Sequence, residues 1–467
     1  MLGMIAPLLC PDSLAEVNSS NPTFYKDVLP VLQRNCQGCH RAGGIAPMAF
    51  VDYTSTRLFA PFIKNAVLSR KMPPWFADPR YGKFANDRSL PQADMKTLVA
   101  WADAGAPEGN PKEAPAPMTW TTTNWKIGKP DIVYEMPTAF NVPGSGVLEY
   151  HYVVIPTGFT QDRWVQMTEM QAGNPSVVHH ANAFLRPPGS PWMADAKPGM
   201  VFLASEAQSK SGVPGRNQYE LIASYTPGLQ PWICRPGAAK LVKAGSDIIL
   251  EIHYITNGTP TTDKTKFGLI FYKGHPERRE LTMNTGSSEF EIPAGDPNYE
   301  VKSQFAVGSD AELVGMMPHM HLRGKDFSYK VVYPTGESST VLYVPHYDFH
   351  WQLYYSLEKP LMMPKGTRIE CTAHFDNSLN NPMNPDPTKN VRWGPQSWDE
   401  MMLGWFDITT PAQTDPSDLY RFARSRHRFS SWPWGWRLSI TASLILLALV
   451  AAILVALQKR THYMREK

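Results

Sequence analysis

The chain has 467 residues, 43% of them apolar and 19% charged, which is too long for one compact core and too apolar for wholesale disorder. Pro is over-represented at 43 residues, about 9% against roughly 5% in average usage, and this favours turns and strand edges over long helices. Net charge is +3, yet residues 421–467 carry nine Lys or Arg and one acid, leaving 36 basic against 41 acidic residues in the first 420. A nucleic-acid binder would carry its positive excess on the folded body, so that class is excluded.

Residues 1–21 form a leader whose first ten residues (MLGMIAPLLC) are apolar but short and lack a positive n-region, so a signal segment is only partly drawn. Residues 24–35 (FYKDVLPVLQRN) have the spacing of an amphipathic helix and lead directly into Cys36-Gln37-Gly38-Cys39-His40. This is the C-x-x-C-H signature of covalent haem: two thiols one turn apart bond the vinyl groups and the adjacent imidazole ligates the iron. A zinc half-site would want a second cysteine pair nearby, which Cys10, Cys234 and Cys371 do not supply. Residues 90–104 predict a second helix, closed by Gly105.

Residues 22–110 thus resemble a small, all-α class I cytochrome c domain. The resemblance implies one c-type haem on Cys36 and Cys39, with His40 as one axial ligand and a Met on a Pro-flanked loop as the other. Met72, in Lys71-Met72-Pro73-Pro74-Trp75, fits that place, and Met48 is the alternative. Haem of this type is attached outside the cytoplasm, so the body is expected to be periplasmic or otherwise extracytoplasmic, with an external electron donor to the haem.

Residues 111–130 are rich in Pro and Thr without apolar periodicity and read as a semi-rigid linker. From 131 to 412 short strands follow one another, among them 149–155, 247–255, 327–333 and 367–375, separated by Pro, Gly and Asn. The length suits two β-sandwiches, 131–286 and 287–412.

Five histidines fall in arranged contexts. His319-Met320-His321 is an H-x-H, and on a strand both imidazoles would project to one face. His179 and His180 are neighbours, so on a regular strand they would diverge, and a shared metal would require a bend or strand end. His253 lies within an apolar strand, where a buried, hydrogen-bonded histidine is the plain alternative to a ligand.

Taken in order, these segments resemble the copper type II monooxygenases, the family of peptidylglycine α-hydroxylating monooxygenase and dopamine β-monooxygenase. Val178 to Asn182 is similar to the family's His-His segment, and Leu250 to Tyr254 to its later L-x-V-H-Y strand. His319 to Lys325 is similar to its H-T-H segment, and Trp398 to Met402 to its D-E-M segment. The resemblance covers about 131–410 and implies two jelly-roll-like sandwiches facing each other across a cleft, each with one copper. His179, His180 and His253 would form an all-histidine electron-relay copper. His319, His321 and Met401 would form the copper that meets O2 and hydroxylates a small-molecule or peptide substrate. Met402 is the alternative thioether, and Met383 in the 376–393 insertion a lesser one.

Departures from the family pattern narrow the activity. Met317 stands where the peptide-amidating member anchors substrate with Arg, and Trp405 where it uses Tyr, which argues against amidation. Cys371 matches half of a family disulfide whose partner is missing, leaving it free or paired with Cys234. His374 could support the metal ligands, while His346 and His350 read as fold residues. Residues 413–436 form a basic juxtamembrane segment. Residues 438–457 are twenty uncharged positions, enough to cross a ~30 Å hydrocarbon core, so 437–458 are expected to anchor the chain in a bacterial-type cytoplasmic membrane. Trp432, Trp434 and Trp436 suit its interfacial belt, and 459–467 would be a cytoplasmic tail.

Overall fold

Apolar residues at helical spacing put Phe24, Val28, Val31 and Leu32 on one face, and this face packs on Leu98 and Trp101 of a later helix, Gln92–Asp103. Trp101 and Phe24 lie 6.0 Å apart by ring centroid, and the Trp101 indole N–H donates to Pro107 O at 3.0 Å. Two shorter helices, Tyr53–Arg57 and Ala60–Leu68, complete this N-terminal unit. The computed structural model describes residues 21–42, 44, 46–119, 125–203 and 220–420. The leader to residue 20, the expected span at 437–458 and its tail lie outside the described residues. Among the described residues no helix is long and apolar enough to cross a membrane.

The rest is β. In the first β body one sheet orders Ile132–Glu135, Lys266–Phe271, Arg163–Gln171 and Ala238–Val242. The other orders Val201–Leu203, His151–Pro156, Asp247–Tyr254, Val178–Arg186 and Leu221–Tyr225. Val153, Leu250, Ile252 and Ala183 meet Val165, Phe267 and Leu269 in one core between the sheets. The second body repeats the plan with Arg278–Ser287, Met402–Pro411, Ala311–His319 and Tyr355–Met363 over Tyr299–Ala306, Arg368–Phe375, Gly324–Val332 and Ser338–Val344. Its core holds Leu281, Met283, Phe327, Tyr329, Cys371 and Phe406.

The bodies share a sheet. Ala238–Val242 pairs in parallel with Arg278–Ser287 through Ala238–Arg278 and Ala239–Arg279. Arg278–Ser287 also pairs over its whole length with Met402–Pro411. That strand, drawn from sequence as the end of the first sandwich, is therefore the opening strand of the second body. The outward faces of both bodies meet in a third apolar cluster, including Tyr150, Phe184, Met317, Met401, Leu403 and Trp405.

The far edge of the shared sheet is covered by the N-terminal unit. Phe84 bridges Leu357, Ala85 N donates to Ser356 O at 2.8 Å, and Glu358 N donates to Lys83 O at 2.8 Å. Asn86 closes the contact, donating to Tyr354 O at 2.7 Å and accepting from Ser356 N at 3.0 Å. Trp75 enters the second body's core against Phe84 and Tyr355. Pairing of this kind removes a sticky strand edge and fixes the helical unit on the second body.

Candidate functional site

The first histidine set depends on a bulge. In the pairing of Asp247–Tyr254 with Val178–Arg186, His253 faces His180 while the next residue, Tyr254, faces Val178. One residue, His179, is left over, so two histidines oppose one. The irregular backbone cancels the divergence that neighbours on a regular strand would show. Ring centroids of His179, His180 and His253 lie 5.1–5.5 Å apart, and one ligand atom from each falls within 4.8 Å of the others. His179 Nδ1 and His180 Nδ1 approach to 3.1 Å. Tyr150 stacks on His253 at 4.8 Å and 10°.

Burial, then the neighbouring imidazoles, drives His179 down to about 3 and His180 well below the usual histidine range. Burial drives His253 down to about 4. All three are neutral at pH 7, the form that ligates metal. His253 Nδ1 is buried without a hydrogen-bond partner. A buried, unpartnered imidazole nitrogen within a cluster of three histidines fits a bound metal ion better than a buried structural histidine, because an unpaired buried polar atom is costly. Three imidazoles suit zinc, copper, iron or nickel.

The second set is held differently. Ala311–His319 ends at its first histidine, and His321 follows just beyond the strand. The two rings lie 5.2 Å apart, while Met320 between them points into the second body's core. His319 Nδ1 donates to Gln352 Oε1 at 2.6 Å and His321 Nδ1 to Asp399 O at 3.2 Å, which fixes the tautomer and orientation of both rings. Glu400, fully buried, accepts from His321 N at 2.9 Å and Arg323 N at 2.6 Å. That carboxyl, pushed up to about 8 by burial, ties the H-x-H turn to the segment carrying Met401. Met401 is buried in the cluster between the bodies, whereas Met402 turns into the second core and accepts from Ser303 Oγ at 3.3 Å. Met383 is 40% exposed. Two oriented imidazoles with a thioether on the adjoining segment fit a soft metal ion.

The two sets share a cavity. His180 and His319 both line it, with Tyr150, Asn182, Phe184, Glu251, Met317, Gln352, Leu403 and Trp405, and its lining contains no Lys or Arg. Phe349 spans the sets, stacked on His179 at 4.6 Å and 5.9 Å from His321. The two departures noted from sequence, Met317 and Trp405, are therefore cavity wall.

At the N-terminal motif, Cys36 and Cys39 are free thiols, and His40 N donates to Cys36 O at 3.0 Å, which brings thiols and imidazole into one turn. Burial pushes the Cys36 thiol up to about 12. His40 Nδ1 lies 3.3 Å from Met48 O, and its ring stacks on Phe50 at 4.4 Å. Two free thiols and an imidazole anchored through Nδ1 fit covalent haem. Met48 packs on the helical core, while Met72 sits where the chain departs toward Trp75 and the second body.

Other expectations resolve plainly. Cys234 and Cys371 are both free and buried, in different bodies. His374 pairs with Asp326 at 2.8 Å and Glu300 at 3.7 Å, apart from either set. His346 and His350 are exposed, and His350 pairs with Asp348. Sequence reasoning missed Gln352, Phe349 and Tyr150, which carry no local signal. Glu400 had one: a carboxylate beside a candidate ligand in an apolar stretch.

No protein-family profile and no curated protein matches the chain. Among solved structures it is similar to the VP2 subviral particle of infectious bursal disease virus, at 8% identity and TM-score 0.19, over 62% of this chain and 74% of that one. It is also similar to that virus's Gt strain structure, at 7% and 0.18 over 62% and 74%. A third is the tandem CBM22 domain of Paenibacillus barcinonensis Xyn10C, at 8% and 0.13 over 57% and 80%. Similarity this slight carries no assignment of function.

Proposed function

We propose that the protein is a copper-dependent monooxygenase with two jelly-roll-like sandwiches, fused to a cytochrome c-like unit and anchored to a bacterial-type membrane with its body outside the cytoplasm. The observation that carries this reading is one cavity walled by both His180 and His319, so that two metal sets of different chemistry address one space. When bound, the haem and two coppers would supply single electrons and the reduction of O2 coupled to C–H hydroxylation. His179, His180 and His253 would hold the first copper, and His319, His321 and Met401 the second. The thioether favours the reduced ion, which must meet O2.

The residues present do the positioning. Gln352 and the Asp399 carbonyl hold the ligand tautomers, Glu400 holds the H-x-H turn, and Tyr150 and Phe349 fix ring planes of the first set. Phe184, Leu403 and Trp405 give the cavity an apolar wall. With no Lys or Arg in the lining, a carboxylate substrate has no anchor there, in keeping with the argument against amidation.

Metal analysis with an absorption spectrum tests the reading: one c-type haem and two coppers per chain are expected. Oxygen uptake with candidate substrates then separates the roles. Full turnover by Met401→Ala would sink the second-copper assignment. A second reading, electron transfer or copper handling without oxygen chemistry, is favoured by depth, since none of the five imidazoles exceeds 9% exposure. Reduction without oxygen consumption would select it.

A further inference from the structure

Neither histidine set uses the charged side chains buried where the two bodies join. On Met402–Pro411, Met402, Phe406 and Ile408 point into the second core, so Leu403, Trp405 and Asp407 point the other way. Leu403 and Trp405 wall the cavity, and Asp407, fully buried, is next on that face. Thr282 Oγ1 donates to Asp407 Oδ1 at 2.6 Å and accepts from Lys240 Nζ at 2.5 Å. Lys240, also fully buried, donates to the carbonyl of cavity residue Leu221 at 3.3 Å and lies over the Trp232 ring. Glu280, 1% exposed and two residues before Thr282, accepts from the Trp232 indole N–H at 3.0 Å.

The charges do not balance. One ammonium faces two carboxyls. Arg278, on the same face, is already paired with Glu312 at 3.0 Å. The other titratable neighbours, the Cys234 thiol and the Tyr354 phenol, are held well above their usual ranges by burial and stay neutral. With both carboxyls ionised, a net negative charge would be sealed away from water, which is very unfavourable. Each carboxyl sits among neutral hydrogen-bond donors, Thr282 and the Tyr354 phenol at Asp407 and the Trp232 indole and Cys234 thiol at Glu280, while Asn284 Oδ1, paired in register with Trp405, is buried and unpartnered. Two carboxyls and one ammonium sealed among neutral donors leave one negative charge uncompensated, and a proton removes it.

We propose that Glu280 and Asp407 share one proton beside Lys240, forming a buried proton-holding site at the inner end of the cavity, with the Asn284–Trp405 face as its way out. Burial pushes the Asp407 carboxyl up to about 7, with Lys240 opposing and Glu280 adding to the rise. The use of this proton rests on the monooxygenase reading. Hydroxylation there follows RH + O2 + 2 e− + 2 H+ → ROH + H2O, with the electrons from an external donor through the c-type haem. The site would furnish one of the two protons and recover it from solvent.

Infrared difference spectra of the full-length protein in H2O and D2O test the site. Wild type minus Asp407→Asn, and wild type minus Glu280→Gln, should each show the C=O stretch of one protonated carboxyl at neutral pH, shifted in D2O and fading at alkaline pH. Either substitution leaves a single carboxylate to balance Lys240, so the proton goes. Lys240→Met should add a second protonated carboxyl. Both near-isosteric variants lacking that lost band would overturn the proposal. The measurement needs neither copper nor substrate. If the band is found and oxygen uptake is not, the enzyme reading falls and the proton site stands.

Discussion

The two histidine sets lie on one cavity but are built by opposite means. The first is made inside a single sheet: a bulge turns two neighbouring imidazoles toward a third on the paired strand, and burial keeps them neutral. The second stands at a strand end and takes its order from elsewhere, through Gln352, the Asp399 carbonyl and Glu400. Backbone register orients the first set. Borrowed hydrogen bonds orient the second. A register error would therefore destroy the first set outright, whereas the second should weaken by degrees as partners are removed.

Breaking the first set should have the largest effect. His253→Ala should cost one metal per chain, a loss beyond the roughly 100-fold that removal of an outer hydrogen-bond partner costs, with the second set still loading. Competition with a chelator of known affinity measures this. Glu400→Ala should come next, because it leaves two backbone N–H groups buried and unpaired. A loss of about 3 kcal/mol in denaturant unfolding is expected, with second-set metal released before first-set metal. Gln352→Ala should cost roughly 10–100-fold in second-set affinity alone. Equal losses at both sets would refute the division of labour. Phe349→Ala, whose ring touches both sets, should weaken each by only several-fold, about 1 kcal/mol.

The smallest effect concerns pH. Asp348 raises the His350 imidazole beside Phe349 above its ordinary value. A raised folded value means this pair stabilises fully below the unfolded histidine range, near 6.5, and ceases to do so as pH rises through the raised value. The pair is solvent-exposed, so Asp348→Asn should cost no more than ~0.5 kcal/mol at pH 6 and nothing at pH 9, read from thermal melts at both.

Much of the fold was legible locally. Helical spacing over 24–35 and 90–104 corresponds to the observed packing of Phe24 and Leu32 on Leu98 and Trp101. The apolar run over 247–255 matches a strand, Asp247–Tyr254, with Leu250 and Ile252 in the core. The shared sheet was not legible, because parallel pairing of Ala238 with Arg278 depends on partners forty residues apart and leaves no local mark. The docking of 83–86 on Ser356–Glu358 escaped for the same reason: strand pairing is satisfied by backbone groups that every residue carries.

The site divides along the same line. Mild acidity of the first 420 residues, high Pro, the C-x-x-C-H motif and the candidate ligands are properties of residue type and short spacing, and sequence alone determined them. That Met401 lies in the cluster between the bodies while Met402 lies in the second core was decided by tertiary structure, since adjacent side chains near a strand point to opposite sides and only packing says which is which. The same holds for His179 and His180. Their adjacency was visible, but the bulge that lets them converge exists only once Tyr254 has paired with Val178. The Lys240–Glu280–Asp407 cluster was wholly invisible in sequence: three charges on three strands become one problem in electrostatics only when the two bodies close over them.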